Sequence, residues 1–449
     1  MKLSRFNVYA SLGGDSRTAI YNTWTGKNCF VQNSLAKFLS GFQEREGPVS
    51  SFMFGKEDFS RLVACGIIVP ESRCQEAEFQ FLHDKAKYEA KQLKFLIITT
   101  LACNLRCSYC YQDSVKKNDR IMSKKIAWNV IQFIANQIKH DTPEAIVTGI
   151  YGGEPLLNVE ICGIIMNAVY KIAKTKGINL EVPLTTNGFY LADYFDTPAI
   201  SLATSIHLTL DGDCMVHDAI RKTARGDGSY GRIMAGIRKA VKVGKKLIIR
   251  IHSNQLKSDH LLRILDDLHQ AGFVSDENGQ IYLMGIESCQ LSKSKIECQQ
   301  PSLEQKHIQN LLYAVSGHPL DTAIYKEFHL PSTPLSVQSL SCEYEMASVF
   351  TINYDGKLML CPRVENSERT IGRIREDGAT IWNPLYHKVL SSNQHNSRIC
   401  SKCEFLPICG GPCMLKPQPR TLDDCKVKRE VYRANIITCL RSQHATSSV

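Results

Sequence analysis

Between Lys94 and Glu287, short apolar runs alternate with segments in which apolar residues recur at helical spacing. The runs have the length and β-branched content of buried strands. They are Phe95–Thr99, Ile146–Tyr151, Leu180–Thr185, Ser205–Leu210, Leu247–His252 and Ile281–Ile286. Strands separated by helices pair in parallel through right-handed crossovers. Because six units are too few to close a full barrel, the sequence predicts an α/β fold with an open partial (β/α)6 barrel.

The segments between these runs have the pattern of amphipathic helices. In the first, Ile126, Val130, Ile134 and Ile138 follow Ser123, which is a suitable N-cap residue. The same spacing recurs over Ile161–Ile172, Ile233–Val241 and Leu261–Leu268. In folds of this kind, functional residues gather at the carboxyl ends of the parallel strands.

Three cysteines, Cys103, Cys107 and Cys110, directly follow the first predicted strand. Their C-x3-C-x2-C spacing supplies three thiolates to a four-iron cluster and leaves one iron without a protein ligand. An open iron is a place for substrate chemistry, by the logic that separates catalytic from structural metal sites. A disulfide or a zinc knuckle is the alternative, although the sequence offers no fourth ligand nearby.

This spacing, with the aromatic Tyr109 before the third cysteine, resembles the radical S-adenosyl-L-methionine (SAM) superfamily. The resemblance implies that the amino and carboxyl groups of SAM fill the open iron site. It also implies that the reduced cluster cleaves SAM to methionine and a 5′-deoxyadenosyl radical. That radical would take a hydrogen atom from an unactivated carbon of the substrate.

The second predicted strand ends at Gly152-Gly153-Glu154-Pro155. Glycines let the backbone approach a ligand closely, and a carboxylate can accept hydrogen bonds from an ammonium group. On its own this motif is also a plausible turn. One βα unit after the cysteines, it is similar to the superfamily motif that binds the amino group of SAM.

The ends of the next two strands offer further SAM contacts by the same resemblance. Asn187 follows the third strand, Thr209 ends the fourth, and Arg221 lies shortly beyond. Thr209 would supply a hydroxyl group, and Arg221 the bidentate guanidinium that grips the SAM carboxylate. Asn187 with Gly188 is otherwise a turn-forming pair, and Arg221 a surface ion-pair partner. The expected cofactor-binding set is Tyr109, Gly152, Gly153, Glu154, Asn187, Thr209 and Arg221.

Seven further cysteines lie between Cys342 and Cys425. Phe350–Asn353 and Lys357–Cys361 flank Asp355-Gly356, which predicts a β-hairpin that delivers Cys361. A C-x2-C-x5-C-x3-C motif and a lone cysteine follow. The pattern resembles the SPASM extension, which in related enzymes carries two auxiliary iron–sulfur clusters. A zinc ribbon is the competing interpretation.

The SPASM resemblance implies two auxiliary ligand sets. The first is Cys342, Cys361 and Cys413, and the second is Cys400, Cys403, Cys409 and Cys425. No cysteine lies between Cys342 and Cys361, so the first set lacks an evident fourth thiolate and has either an open iron or a ligand from elsewhere. With the SAM-binding cluster, the expectation is three [4Fe–4S] clusters. The other eight cysteines carry no motif and are expected to be small core residues, although Cys289 and Cys298 follow the sixth strand.

Residues 1–90 contain none of the cluster motifs. We predict strands at Phe6–Leu12 and Ala19–Asn22, helices at Ser34–Phe42 and Glu57–Cys65, and an extended Ile67–Pro70. This order is compatible with a winged-helix-like module, which peptide-recognising domains of related maturases resemble; a structural cap on the barrel is the alternative. Asp84–Leu93 is predicted to be a connecting helix. The expected domains are 1–90, the radical SAM barrel at 91–330 and the SPASM domain at 331–449.

Composition restricts the setting and the partners. Eighteen cysteines without a secretion signal favour metal ligation over a disulfide framework. The sequence has no apolar run of membrane-spanning length and no hydrophobic N-terminal signal, so we expect a cytoplasmic protein without a membrane partner. The net charge of +10 is spread along the chain and can steer an acidic reductase or peptide. We expect no nucleic-acid partner, because an aromatic-rich basic motif is lacking.

SPASM enzymes mostly modify peptides or protein side chains. The resemblance therefore implies an oxidoreductase that matures a ribosomally synthesised precursor peptide (a RiPP), by a carbon–carbon or thioether crosslink, with a flavodoxin- or ferredoxin-type electron donor. The alternatives are a sulfatase maturase that forms formylglycine, a peptide epimerase, and a non-catalytic iron–sulfur electron carrier, which needs no SAM grip. The sequence identifies no catalytic acid or base. It also does not identify the substrate peptide or the bond that is formed.

Overall fold

The computed structural model describes residues 1–11, 16–43, 47–89, 91–110, 112, 119–253, 256–274, 277–284, 311, 317–318, 320, 340, 342–362, 369–393, 397–413, 421 and 423–446. The chain forms two compact units. The terminal unit comprises Met1–Glu89, His329–Met346 and Ser391–Val449, and the barrel unit comprises Ala90–Phe328 and Ala347–Leu390. The expected SPASM segment, 331–449, contributes residues to both units. The domain boundaries drawn from the sequence therefore stay a prediction.

The strands, in chain order, are β1 (Lys2–Leu3), β2 (Asn7–Ser11), β3 (Arg17–Asn22), β4 (Asn28–Gln32), β5 (Ile68–Val69), β6 (Gln92–Thr100), β7 (Ala145–Gly152), β8 (Asn179–Glu181), β9 (Pro183–Thr185), β10 (Ser205–Leu210), β11 (Leu247–His252), β12 (Gly279–Met284), β13 (Val349–Ile352), β14 (Lys357–Met359), β15 (Thr370–Ile374) and β16 (Thr380–Trp382).

The helices are α1 (Asn33–Gln43), α2 (Lys56–Ala64), α3 (Gln75–Tyr88), α4 (Lys124–Asp141), α5 (Val159–Lys176), α6 (Pro198–Leu202), α7 (Cys214–Ile220), α8 (Tyr230–Lys242), α9 (Ser258–Gln270), α10 (Pro384–Ser391), α11 (Leu406–Cys409) and α12 (Lys426–Thr446).

One sheet organises the barrel unit. Its strand order is β12-β11-β10-β9-β7-β6-β13-β14-β15-β16, with β8 beside β7. The strands from β6 to β12 pair in parallel, and β13 adds to β6, also in parallel. The path from β12 to β16 does not return to its start among the described strands. The predicted open α/β partial barrel is confirmed.

Helix α4 shows how the sequence pattern becomes packing. The Ser123 side chain accepts a hydrogen bond from the Ile126 nitrogen at 3.3 Å, as the N-cap prediction requires. On the buried face of α4, Phe133 meets Phe95 of β6 edge-on, and Phe350 of β13 stacks on Phe95. Burying each such aromatic side chain contributes about 1.5–3 kcal/mol.

One helical stretch among the described residues, Pro155–Lys176, has the length and apolar composition that could cross a membrane. In the barrel unit its Ile165, Met166 and Val169 are fully buried. A core helix has this same composition. The cytoplasmic localisation stays an expectation from the sequence.

The predicted hairpin near Cys361 is also confirmed. Strands β13 and β14 pair antiparallel, and the Asn353 nitrogen donates to the Lys357 carbonyl at 2.8 Å. Gly356 occupies the turn with a φ of +78°, which glycine adopts without steric cost. The strand therefore delivers Cys361 two residues after it ends.

The terminal unit joins the two ends of the chain in one hydrophobic core. Strands β2, β3 and β4 form an antiparallel sheet. Val8 and Tyr21 of this sheet share a buried cluster with Phe405, Ile436 and Leu440. The first strands therefore complete their core with residues from the last part of the chain.

Two sequence-based interpretations near the N-terminus need correction. Strand β4 was not expected, and the connecting helix predicted at Asp84–Leu93 is confirmed only as far as Tyr88, where α3 ends, because β6 begins at Gln92. Leu93 is buried and pairs with Ile146 of β7. Tertiary pairing has overridden a helical propensity, which is a weak determinant by itself.

The structure does not describe the end of the sixth predicted strand or two of the cysteines that carry no motif. Gly285, Ile286, Cys289 and Cys298 lie outside the described residues.

Candidate functional site

The loop after β6 carries the three motif cysteines and is fixed by a second segment. The Arg106 nitrogen donates to the Lys222 carbonyl at 2.7 Å, and the Ser108 nitrogen to the Ile220 carbonyl at 3.2 Å. All three cysteines, Cys103, Cys107 and Cys110, are partly exposed. The backbone that carries Arg221 is therefore bonded directly to the cysteine loop.

Gly152 and Gly153, at the end of β7, lie too close to the backbone of the preceding strand and the cysteine loop to carry a side chain. A Cβ atom on Gly152 would stand 2.4 Å from the Thr100 carbonyl oxygen, and one on Gly153 would stand 2.3 Å from that of Ala102. Both contacts are backbone and cannot move aside. The glycines were expected to allow the approach of a ligand, whereas in the structure they let this turn pack against the backbone of Thr100 and Ala102.

Glu154 connects two turns from a fully buried position. Its Oε1 accepts hydrogen bonds from the Leu156 nitrogen at 3.0 Å and the Thr186 hydroxyl at 2.7 Å, and its Oε2 accepts one from the Asn187 nitrogen at 2.7 Å. Burial raises the pKa of Glu154, although these hydrogen bonds favour the charged form. Contact between Glu154 and the SAM amino group stays a prediction.

One cavity at the carboxyl ends of the barrel strands is lined by most of the residues predicted to bind SAM or its cluster. Of the expected cofactor-binding set, all except Glu154 line it. The complete lining is Cys103, Leu105, Cys107, Tyr109, Cys110, Gln112, Tyr151, Gly152, Gly153, Thr185, Thr186, Asn187, Thr209, Arg221 and Arg250.

Asn187 links the cysteine loop to the turn after β9. Its side-chain amide donates to Asn104 Oδ1 at 2.8 Å and approaches Cys103 Sγ at 3.8 Å. Its own Oδ1 accepts from the Phe189 nitrogen at 2.9 Å, as in the turn that the sequence suggested. The residue therefore has the turn role and also lies beside a predicted cluster ligand.

Asp211, directly after β10, is a buried acid that contacts Tyr109 and Arg221, two residues of the cavity lining. One carboxylate oxygen lies 2.5 Å from His252 Nδ1, and the other accepts from the Tyr109 hydroxyl at 2.6 Å and lies 3.4 Å from Arg221 Nη1. Arg221 Nη1 also donates to the Tyr109 oxygen at 2.6 Å. Burial alone would raise the pKa of Asp211, but His252 and Arg221 hold it well below its usual range.

Four residues in or behind the cavity lining were not predicted from the sequence: Asp211, His252, Arg250 and Gln112. A signal was available for three of them. Asp211 follows the fourth predicted strand directly, and Arg250 and His252 are two residues apart near the end of the fifth, so they share one face of the sheet. Gln112 had no such signal, because it lies in a loop beyond the cysteines.

The residues at this site fit a cluster and SAM. Three partly exposed cysteine thiols line the cavity, and some donors in or beside it lack hydrogen-bond partners. Among the described residues, the Arg221 Nε, Gln112 Nε2 and Asn104 Nδ2 atoms are buried without a hydrogen-bond partner. Such donors are costly in a folded protein unless a ligand or water accepts from them. SAM carries carboxylate, hydroxyl and ring-nitrogen acceptors, and the residues present fit it.

In the terminal unit, the four cysteines of the second auxiliary set are near one another. Burial raises the pKa of Cys400, of Cys425 and, to about 12, of Cys403, and the neighbouring Cys409 adds to the effect on each. Lys428 hydrogen-bonds to Cys409. Within the described part of the chain, no three His, Cys, Asp or Glu side chains converge on a single metal ion.

The first auxiliary set is brought together in part. Cys342 and Cys413, both in the terminal unit, are close enough for Cys413 to help raise the pKa of Cys342, to which burial contributes most. Cys361 belongs to the barrel unit and follows β14. The roles of these cysteines as cluster ligands stay predictions.

Comparison with protein families matches residues 97–268 to the radical SAM superfamily. Residues 342–404 match the SPASM iron–sulfur cluster-binding domain. The chain carries a radical SAM domain and a SPASM domain. These domains imply SAM and [4Fe–4S] clusters as cofactors, and the radical SAM match begins within β6 and ends within α9.

Two relatives illustrate the range of sequence similarity. A cysteine-type anaerobic sulfatase-maturating enzyme of Clostridium novyi (strain NT) is 23% identical over 340 residues, which are 71% of this chain and 86% of that enzyme. A probable GTP 3′,8-cyclase of Methanocaldococcus jannaschii is 29% identical over 167 residues, which are 36% of this chain. The match covers 49% of the cyclase, so the chain spans about half the length of that relative.

Solved structures share the fold. Native anSMEcpe with bound AdoMet superposes with a TM-score of 0.57 at 17% identity, covering 79% of this chain and 100% of that chain. Streptococcus suis SuiB bound to S-adenosylmethionine gives a TM-score of 0.50 at 17% identity, covering 92% and 95%. Both likenesses concern the architecture of the radical SAM and SPASM domains.

Proposed function

We propose that this radical SAM/SPASM protein is a maturase that modifies a ribosomally synthesised precursor peptide by forming a carbon–carbon or thioether crosslink. The observation that carries the proposal is the single cavity lined by Cys103, Cys107, Cys110, the glycine turn and Arg221. When bound, the cluster and SAM supply a 5′-deoxyadenosyl radical that abstracts hydrogen from the substrate. The chain supplies positioning and exclusion of water.

Each element of the cavity has a proposed task. The three cysteines hold the SAM-binding cluster, and the glycine turn brings the strand end against their loop. Arg221, positioned by Tyr109 and Asp211, presents its Nε to the SAM carboxylate. A guanidinium fixed in this way loses less entropy on binding than a free one.

Similarity supports a peptide or protein substrate. The Clostridium novyi relative is named a sulfatase-maturating enzyme, and the anSMEcpe structure is also described with bound AdoMet and Cp18Cys peptide. That complex superposes on this chain with a TM-score of 0.55. We propose that the N-terminal module contributes to recognition of the peptide.

The auxiliary cysteines complete the proposed enzyme. Cys342, Cys361 and Cys413 would bind one [4Fe–4S] cluster, and Cys400, Cys403, Cys409 and Cys425 the other, giving three clusters in total. Such clusters can accept the electron that is released when a substrate radical closes a bond. We propose a flavodoxin- or ferredoxin-type donor, for which the net charge of +10 suits an acidic surface.

A second candidate is a sulfatase maturase that converts Cys or Ser to formylglycine. The observation in its favour is the match to 86% of the sulfatase-maturating relative. The two functions differ in their product, because formylglycine is an aldehyde and a crosslink is not. A hydrazide probe therefore labels only the formylglycine product.

The test begins with the anaerobically reconstituted protein, a reductant and SAM. Formation of 5′-deoxyadenosine is expected. Its absence would favour the alternative function, a non-catalytic iron–sulfur electron carrier. Co-expression with a short peptide gene beside this gene, followed by mass spectrometry, then decides the chemistry. Loss of two hydrogens without hydrazide labelling supports the crosslink, and solvent deuterium incorporation without any other change indicates epimerisation.

A further inference from the structure

Arg250 is a second guanidinium in the cavity wall, and its partners differ from those of Arg221. It lies on β11 beside its register partner Thr209 of β10. Its Nε and Nη2 both donate to Thr209 Oγ1, at 3.2 and 2.9 Å. Arg221 has the Asp211 carboxylate nearby, whereas no carboxylate forms an ion pair with Arg250 among the described residues.

Within the described part of this wall, no acid is free to compensate Arg250. Asp211 uses both of its oxygens on His252, Tyr109 and Arg221. The positive charge of Arg250 also affects a neighbouring residue. The pKa of His207 is lowered mainly by burial and also by the charge of Arg250. A partly buried cation without a counter-charge is unfavourable until an anion joins it.

We propose that Arg250, oriented by the Thr209 oxygen, forms a carboxylate-binding subsite for the peptide substrate, which takes an Asp or Glu side chain or a C-terminal carboxylate. The inference rests on the proposed peptide-modifying function and adds a substrate class to it. A guanidinium fork matches the two oxygens of a carboxylate. Thr209 accepts from Arg250 through its oxygen and so fixes the direction of the guanidinium, while its hydroxyl proton stays available for the expected contact with SAM.

Position along the sheet favours the substrate over SAM as the source of this carboxylate. The expected SAM carboxylate lies at the open iron, and hence at the cysteine loop after β6. The segment around Arg221 is hydrogen-bonded to that loop. Arg250 lies on β11, which is four places along the sheet from β6. SAM brings one carboxylate, which the proposed function assigns to Arg221, so Arg250 is left for a second anion.

The test measures peptide binding to the cluster-reconstituted, SAM-bound protein without reductant, so that no turnover occurs. The probes are acetylated, amidated pentapeptides that differ only by Asp or Asn at the central position, and a third with Asn and a free C-terminus. Equilibrium dialysis is performed on the parent, Arg250→Gln and Arg250→Lys. The matched control is Arg232→Gln, which removes an exposed arginine of the same unit that pairs with Asp193.

We expect the parent to bind a carboxylate-bearing probe about tenfold or more tightly than the amidated Asn peptide, as a charge-assisted hydrogen-bonded pair implies. Arg250→Gln should bring that ratio close to one, and Arg250→Lys should retain part of it. The Arg232→Gln control should keep the ratio of the parent. A parent without this preference, or an Arg250→Gln variant that retains it, overturns the proposal.

A second arm identifies the source of the carboxylate. The dissociation constant of SAM is measured for Arg250→Gln and Arg221→Gln, with iron content and circular dichroism as checks on folding. The larger loss is expected for Arg221→Gln. A larger loss for Arg250→Gln would assign the subsite to SAM and overturn the inference. Because binding is measured without reductant, missing 5′-deoxyadenosine in the reduced enzyme would count against the proposed function alone.

Discussion

The Asn187 backbone nitrogen donates a hydrogen bond to Glu154 Oε2 at 2.7 Å, which anchors the turn after β9 on the turn after β7. The same carboxylate also accepts from the Thr186 hydroxyl. Asn187 in turn holds Asn104 of the cysteine loop. Three loops that are separate in sequence are thus aligned through one buried acid.

We expect Glu154→Ala to lower the free energy of unfolding by about 3 kcal/mol or more, because several buried donors lose their acceptor. Thermal unfolding of the anaerobic holoenzyme measures the change. The control is Glu160→Ala, which removes an exposed partner of Lys124 and should cost less than about 1 kcal/mol. Equal effects of the two substitutions would show that Glu154 does not anchor the turns.

The stability contribution of Glu154 should depend on pH. Burial raises the pKa of Glu154 in the folded state above its unfolded value. Its contribution is therefore complete below the unfolded pKa and declines as the pH rises through the folded pKa. Glu154→Gln cannot ionise, so its free energy of unfolding should decline less than that of the parent over this interval. Parallel curves for the two proteins, measured by denaturant titration at several pH values, would contradict the assignment.

Replacing Cys103, Cys107 and Cys110 together by Ala should abolish formation of 5′-deoxyadenosine. The auxiliary cysteines should retain their iron, because the second set lies entirely in the terminal unit. Chromatography of the product and iron analysis measure both outcomes. The control is Cys214→Ala, which changes an exposed cysteine of the barrel unit, where the triad also lies, and which should behave as the parent. Undiminished SAM cleavage by the triple variant would exclude the triad as the SAM-binding cluster site.

Arg221→Lys should weaken SAM binding by roughly 1–3 kcal/mol, although the charge is kept. A lysine ammonium cannot reproduce the planar fork that joins Tyr109 and Asp211 while another nitrogen faces the cavity. Equilibrium dialysis with SAM measures the loss. An affinity equal to that of the parent would reduce Arg221 to an internal ion-pair partner of Asp211.

The anaerobically reconstituted protein should contain about twelve irons, from three clusters of four. A zinc ribbon formed by the C-terminal cysteines would instead give about four irons together with zinc. Elemental analysis distinguishes the two compositions. Removing the second auxiliary set with Cys400→Ala and Cys403→Ala should then lower the iron content by about four.

The barrel could be predicted because burial leaves a local periodic pattern. Ile126 and Ile134 indicate their helix without reference to any other part of the chain. The network of Asp211 could not be predicted in this way. Tyr109 and Arg221 are 112 residues apart, and their contact depends on how the loops after two strands meet. Sequence similarity selected both residues, while their mutual hydrogen bond and the role of His252 required coordinates.

The N-terminal module shows the same limit. Its strands and helices were largely predicted from local patterns, yet nothing local indicates that Val8 and Tyr21 pack against Phe405. The end of the predicted connecting helix was wrong for a related reason, because Leu93 belongs to a strand only when β7 is available as its partner.

The shared core of the two chain ends has a consequence for synthesis. The Tyr9 carbonyl accepts from Arg433, 424 residues later, and Thr23 donates to the Glu404 carbonyl, 381 residues later. One side of this sheet, with Ile20, packs locally on Leu39 and Leu62, but the side with Val8 and Tyr21 has no partner until Phe405 and Ile436 are translated. That side is thus among the last surfaces to reach its final packing, and the nascent chain exposes an aggregation-prone apolar patch until then.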